Sequence, residues 1–362
     1  MQVKEGAKSI TTETETVKKN KSLPQLSTYT IENVNGTRLI VSNLGAIVIS
    51  LFVKDKDGKL ADVVLGYDTQ PDYQADEFYL GSVVGRYANR IAGSTIVLDD
   101  ATYNLPVKEG GYHLHGGLEG FNKKVFSARP LTNASGTGIV FTYTSPHLEE
   151  GFPGELKLEV TYMLNDNDSW TIEYRAETSK TTLINVTQHT YFNLSGNLST
   201  SIDGHELKIP AGFYLPVNFM QVPTGEIADV VNTPFNFTEF KKIAKDINQD
   251  NVQLRLSNGY DHSFVLEKEH SSHLKHAAAV LEPVSGRKLD VYTTEPAIHF
   301  YSGNFLCNVK GKKGDIYNKR SGFCLETQHF PDTPNHSHFP STVLKPGEQF
   351  YSKTIFKFSV DK

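Results

Sequence analysis

Cysteine is nearly missing from this chain: Cys307 and Cys324 are the only two in 362 residues. Two are too few for a disulfide framework, so free thiols in a reducing compartment are the simpler expectation. Long apolar runs are missing as well, and no stretch reaches the length that crosses a bilayer. The opening segment MQVKEGAKSITTETETVKKNKSLPQ lacks the apolar core of a secretory signal, and a cytoplasmic location is expected. Neither sign of charge dominates, with 36 Lys plus Arg against 41 Asp plus Glu and a formal charge of -5. Phosphate neutralisation needs clustered cations, so nucleic acid is not an expected partner. Tryptophan occurs once, although Tyr (17) and Phe (21) are plentiful. Phosphate loops, nucleophile elbows and zincin signatures do not occur.

What is present reads as strands. Residues 1–25 are polar, with little to bury, and are expected to form a flexible arm ahead of a domain spanning 26–362. Within that domain Leu158, Val160, Tyr162 and Leu164 alternate with Glu159, Thr161 and Met163. Ile172, Tyr174 and Ala176 likewise alternate with Glu173 and Arg175. Period-two patterning buries one sheet face. Residues 46–53 are an almost unbroken apolar run, as for a strand covered on both faces. Turn dipeptides separate these stretches: Asp57-Gly58, Asp99-Asp100, Asn258-Gly259 and Pro346-Gly347. The last of these leads into a final strand through Phe350, Phe356, Phe358 and Val360. One helix is expected over 236–247, where Phe237, Phe240, Ala244 and Ile247 recur at helical spacing and Asn236 with Glu239 forms a capping box. The whole reads as one large all-β domain, an antiparallel β-sandwich with few short helices.

Five stretches combine titratable side chains with Gly or aromatic neighbours: 85–91 (GRYANRI), 113–117 (HLHGG), 188–193 (QHTYFN), 259–264 (GYDHSF) and 324–332 (CLETQHFPD). Taken singly, each has a bland reading. Glu326 could be a carboxylate on the wet face of an edge strand, and His189 a satisfied core histidine. Arg90 could sit in a surface ion pair, and Asp261 in a turn after Asn258-Gly259. The functional readings are a base, an acid, a forked donor and an acceptor for vicinal hydroxyls. The pairs His113/His115 and His336/His338 have the spacing of residues sharing one side of a strand, which raises a metal site. No acidic or Cys ligand at a recognised spacing accompanies them, so none is expected.

In order and separation these stretches resemble the aldose 1-epimerase (galactose mutarotase) family, from about residue 29 onward. The resemblance rests on Asn89-Arg90-Ile91, Leu114-His115-Gly116-Gly117, residues 151–156 (GFPGEL) and His189-Thr190-Tyr191-Phe192-Asn193-Leu194. It continues through Pro223-Thr224-Gly225-Glu226, residues 301–305 (YSGNF) and Glu326-Thr327-Gln328. It implies the large sandwich of galactose mutarotases, the supersandwich, with an open sugar cleft. It also implies Glu326 as general base and His189 as general acid. Asn89, Arg90, His115, Tyr191 and Asp261 would bind the sugar, and no cofactor or metal would be needed. A Glu near its ordinary pKa would be ionised and ready to accept a proton.

Thr294-Glu295-Pro296 departs from the family pattern, which often has Gln before the Pro. Glu295 is therefore expected to bear on sugar preference, because an ionised Glu only accepts hydrogen bonds. Three other functions are compatible with such a fold: a sugar-binding protein without catalysis, a hexose-6-phosphate 1-epimerase needing further cations, and a glycosidase needing paired carboxylates. A monomer acting on a small hexose is expected.

Overall fold

The two period-two stretches become neighbouring strands, Leu156–Asn165 and Ser169–Thr178, in the middle of a nine-stranded antiparallel sheet. The structure is a computed structural model that describes residues 9–14, 26–107, 111–267 and 273–361. In that sheet the strand Phe350–Val360, entered through the Pro346-Gly347 turn, lies between Ser169–Thr178 and Arg287–Thr293. Gly347 takes φ +86°, a value that glycine adopts without strain. A five-stranded meander, Ser9–Thr14 through Leu60–Asp62, and a six-stranded sheet complete the main architecture.

The six-stranded sheet runs in the order Tyr191–Phe192, Phe323–Gln328, Ala297–Tyr301, Asp261–Val265, Phe213–Tyr214 and Ala228–Asp229. One of its faces is aromatic and packs on the nine-stranded sheet. Phe192 meets Phe356 at 5.4 Å between ring centroids, and Phe356 stacks on Trp170 at 5.1 Å. Fully burying an aromatic side chain contributes about 1.5–3 kcal/mol. The contact therefore fixes one sheet against the other and leaves the opposite face free for polar work.

Two expectations are corrected here. Within the segment expected to be a flexible arm, Ser9–Thr14 form a strand paired antiparallel along Ser27–Glu32, with Ile10 opposite Ile31. The rest of that segment lies outside the described residues. Residues 236–247 are not a helix. Asn236 Oδ1 instead accepts from the backbone N–H and hydroxyl of Thr238, an Asx turn that competes with helical bonding. Lys241–Lys242 then pair with Glu206 and Leu207, and Phe240 stays exposed. Among the described residues the α-helices are Gln70–Ala75 and Val252–Ser257, capped by Thr69 and Asn251. No helix of the described residues is long and apolar enough to cross a membrane.

Candidate active site

Residues two apart on a strand share a face. On Phe323–Gln328, Cys324 and Glu326 therefore face one way while Phe323 and Leu325 join the core. Strand register carries the polar face sideways in two rows. Tyr191 and Tyr301 flank Cys324, and Asp261 follows opposite Tyr301. In the next row His299 stands opposite Glu326, and Ser263 opposite His299. Strands lie about 4.8 Å apart, so neighbours in a row are within reach of one another.

Loops bring the remaining groups over this face. Arg90 begins the strand Arg90–Ala92, which pairs with Tyr112–Leu114, and His115 follows at φ +49°. Gly116 takes φ +86°, and a Cβ there would stand 1.7 Å from the carbonyl oxygen of Gly85, so only glycine fits behind His115. His189 lies between Thr187–Gln188 and Tyr191–Phe192. Together these side chains line a cavity of about 250 Å³ that includes Asn89, Arg90, His115, His189, Tyr191, Asp261, His299, Tyr301 and Glu326. A wider hollow of about 920 Å³ lies over the outer face of the nine-stranded sheet. Among the described residues no histidine lines it, and Lys353 and Glu173 there pair with each other at 3.0 Å.

The cavity contains two contrasted carboxylates. Asp261 Oδ1 is 2.6 Å from His299 Nε2, and its Oδ2 is 3.3 Å from an Arg90 guanidinium nitrogen. Burial alone would push Asp261 up, but Arg90 and the His299 hydrogen bond hold it well below the usual carboxylate range. Glu326 has no such support. Its Oε2 is buried without a hydrogen bond, and Oε1 lies 3.7 Å from His189 Nε2. Burial, helped by the charge of Asp261, pushes Glu326 well above the usual range. The expectation of a Glu near its ordinary pKa is thus corrected. His189 is pushed the opposite way, down to about 4, by burial. The pair consequently holds one proton between two groups that both prefer to be neutral.

The histidines also differ in tautomer. His115 Nδ1 accepts from the backbone N–H of Asn89 at 3.2 Å, so its neutral ring carries the proton on Nε2. Asn89 Oδ1 accepts from the Arg90 N–H at 2.9 Å, and Arg90 also donates to Gln221 at 2.6 Å. His115, His189 and Glu326 offer ligand atoms all within 4.8 Å of one another. A tetrahedral zinc with bonds of about 2.0–2.1 Å would draw its ligands closer than that, so the site would have to contract around it.

Glu295 is not brought to this cavity. Its carboxylate accepts from His329 Nδ1 at 2.7 Å, and both side chains are buried apart from the cavity lining. His113 and His115 part company too. His113 packs edge-on to Phe152 and meets the carbonyl of Pro106 at 2.9 Å, whereas His115 packs against His189. His336 pairs with Asp332, and His338 with the carbonyl of Gly225. Sequence reasoning missed His299, Tyr79 and Tyr301. The available signal for His299 was a lone polar residue in the apolar run Ala297–Tyr301.

The profile of the aldose 1-epimerase family matches residues 27–357. The chain is 45% identical over 324 residues to the galactose mutarotase of Bos taurus, covering 89% of this chain and 91% of that one. The human galactose mutarotase is 43% identical with the same coverage. The aldose 1-epimerase of Escherichia coli K12 is 36% identical over 331 residues, covering 91% and 94%. Among solved structures, galactose 1-epimerase from Lactobacillus acidophilus superposes with a TM-score of 0.85 at 28% identity, covering 98% of this chain and all of that one. An aldose epimerase homologue from C. elegans gives 0.83 at 30% identity, covering 92% and 98%. The chain belongs to the aldose 1-epimerase family, and with it to the isomerases of carbohydrate metabolism.

Proposed function

We propose that this enzyme interconverts the α and β anomers of free hexoses, D-galactose and D-glucose, with Glu326 as base and His189 as acid. The observation that carries the assignment is the Glu326–His189 pair, 3.7 Å apart and buried at the floor of a cavity otherwise lined by hydrogen-bonding groups. Glu326 takes the proton of the C1 hydroxyl while His189 Nε2–H protonates the ring oxygen. The bond between C1 and the ring oxygen breaks, and a free aldehyde forms. Rotation about C1–C2 and reclosure return both protons and give the other anomer. Ring opening converts carboxylate and imidazolium into carboxylic acid and neutral imidazole. That is the protonation state favoured by the dry surroundings, so the cavity stabilises the opened sugar.

Asp261, fixed by Arg90 and His299, accepts from sugar hydroxyls; Asn89, Arg90 and the Nε2–H of His115 donate to sugar oxygens, and Tyr191 walls the site. The guanidinium of Arg90 is already engaged by Asp261 and Gln221, and no Lys among the described residues lines the cavity, which favours a free sugar over a phosphorylated one. Two free thiols, exposed Cys307 and buried Cys324, support a cytoplasmic protein, and we take it to act as a monomer on a small sugar alone.

The test is the optical rotation of freshly dissolved α-D-galactose and α-D-glucose. Wild type should hasten relaxation to the same final rotation, and Glu326→Gln or His189→Ala should each lower kcat by about 10²–10⁴-fold. A wild-type protein that leaves both relaxations at their spontaneous rates ends this reading.

A further inference from the structure

We propose that Cys324 is a positioning residue for His189: its sulfur accepts the Nδ1–H of the imidazole and so keeps the exchangeable proton on Nε2. The proposal rests on the reading of His189 as the acid, and the experiment below separates the two.

Cys324 Sγ lies 3.6 Å from His189 Nδ1, while Nε2, on the other side of the ring, lies 3.7 Å from Glu326 Oε1. The imidazole is thus spanned between two side chains of one strand, Cys324 and Glu326, which share a face because they are two residues apart. Tyr191 packs against the ring at 5.1 Å and His115 meets it edge-on at 5.2 Å, so its orientation is set by packing and its proton by the polar contacts. Cys324 is fully buried, and burial pushes its thiol well above the usual range, so the sulfur remains a neutral, weak acceptor.

A weak acceptor suits this position. In the resting pair, protonated Glu326 faces bare Nε2 across 3.7 Å while Nδ1–H faces sulfur. In the charged pair, Nε2–H faces the carboxylate and Nδ1–H still faces sulfur. One proton moves and the other never does. A carboxylate in place of the thiol would hold the imidazolium more tightly and make it a poorer donor; such a carboxylate, Asp261, stands 2.6 Å from His299 instead. The two imidazoles of this face are distinguished by their partners: sulfur for the ring that gives a proton up, carboxylate for the ring that only orients.

The competing holder of the Nδ1 proton is the backbone carbonyl of His189 itself. The experiment uses the full chain labelled with ¹⁵N-histidine, as wild type and as Cys324→Ser, Cys324→Val and Cys324→Ala. Long-range ¹H–¹⁵N spectra read the His189 ring, and polarimetry gives kcat and KM. Wild type should show protonated Nδ1 and bare Nε2 in the neutral ring. Val, which fills the space without accepting, and Ala should both lose that tautomer and lower kcat about tenfold with KM held within about twofold, as for a lost orienting contact. Ser should keep the tautomer and most of kcat. Retention of tautomer and kcat in Val and Ala overturns the proposal in favour of the backbone carbonyl. Full kcat in Val with a loss in Ala overturns it in favour of packing. Undiminished kcat in His189→Ala instead removes the acid assignment, whatever the spectra show.

Discussion

His299 Nε2 stands 2.6 Å from Asp261 Oδ1, and the same carboxylate meets Arg90 through its other oxygen. One buried aspartate therefore anchors residues of two other strands, Ala297–Tyr301 and Arg90–Ala92, at once. A neutral amide in its place keeps the shape and loses the charge.

Asp261→Asn should raise KM for galactose by about 10–100-fold, the worth of a charged hydrogen bond, with a smaller change in kcat. Polarimetric initial rates over a range of sugar concentrations measure this. An unchanged KM would remove Asp261 from substrate binding.

The pH dependence follows from the opposed shifts of the pair. His189 is held down to about 4, so a second proton joins the pair only near that pH, and kcat/KM should fall on the acid side there. Glu326 is held well above its ordinary value, so the pair keeps its single proton until pH passes that raised value, and only then does activity fall on the alkaline side. The enzymatic rate, corrected for spontaneous mutarotation at each pH, should give a bell lying above about pH 4. An alkaline limb centred in the ordinary glutamate range, at about 4.3, would contradict the shared-proton description.

Gly116→Ala places a methyl group against the Gly85 carbonyl at a φ of +86°. It should cost about 3 kcal/mol, lower Tm by several degrees and displace His115, with activity falling alongside. Thermal melts and kcat/KM measured on the same preparation test the link. A stable variant with full activity would show that the turn can relax.

Glu295→Gln should leave KM for galactose and glucose within about twofold, because Glu295 bonds His329 outside the cavity. Its effect should instead appear in stability, at about 1–3 kcal/mol for a weakened buried pair. A large shift in sugar preference would restore Glu295 to the binding site.

Much of this architecture was legible in the chain. The alternation at Leu158–Leu164 and Ile172–Ala176 marks strands because burial of one face imposes it, and the Pro346-Gly347 turn announces the strand that follows. Glu326 and His189 were readable only through the ordered resemblance, since each alone fits a structural role equally well. The failures have a common cause. Helical spacing at Phe237–Ile247 is overridden by one Asx side chain and by pairing with Glu206–Leu207, a partner remote in sequence. His299 was missed because sheet register decides which face a residue joins, whereas Glu295 lies in the bend between Arg287–Thr293 and Ala297–Tyr301, where its carboxylate meets His329. Register is a relation between strands, which a reading of single stretches does not contain.

The position of Phe350–Val360 between Ser169–Thr178 and Arg287–Thr293 has a consequence for biosynthesis. During translation the two halves of the nine-stranded sheet stand as open edges until this segment leaves the ribosome. The strand that carries Glu326 is tied to the same segment, because the hydroxyl of Thr327, beside Glu326, meets that of Thr354 at 2.6 Å. Nascent chains arrested before residue 350 should therefore expose unpaired strand edges, depend on chaperones to avoid association, and show no turnover, however completely the preceding residues have been made.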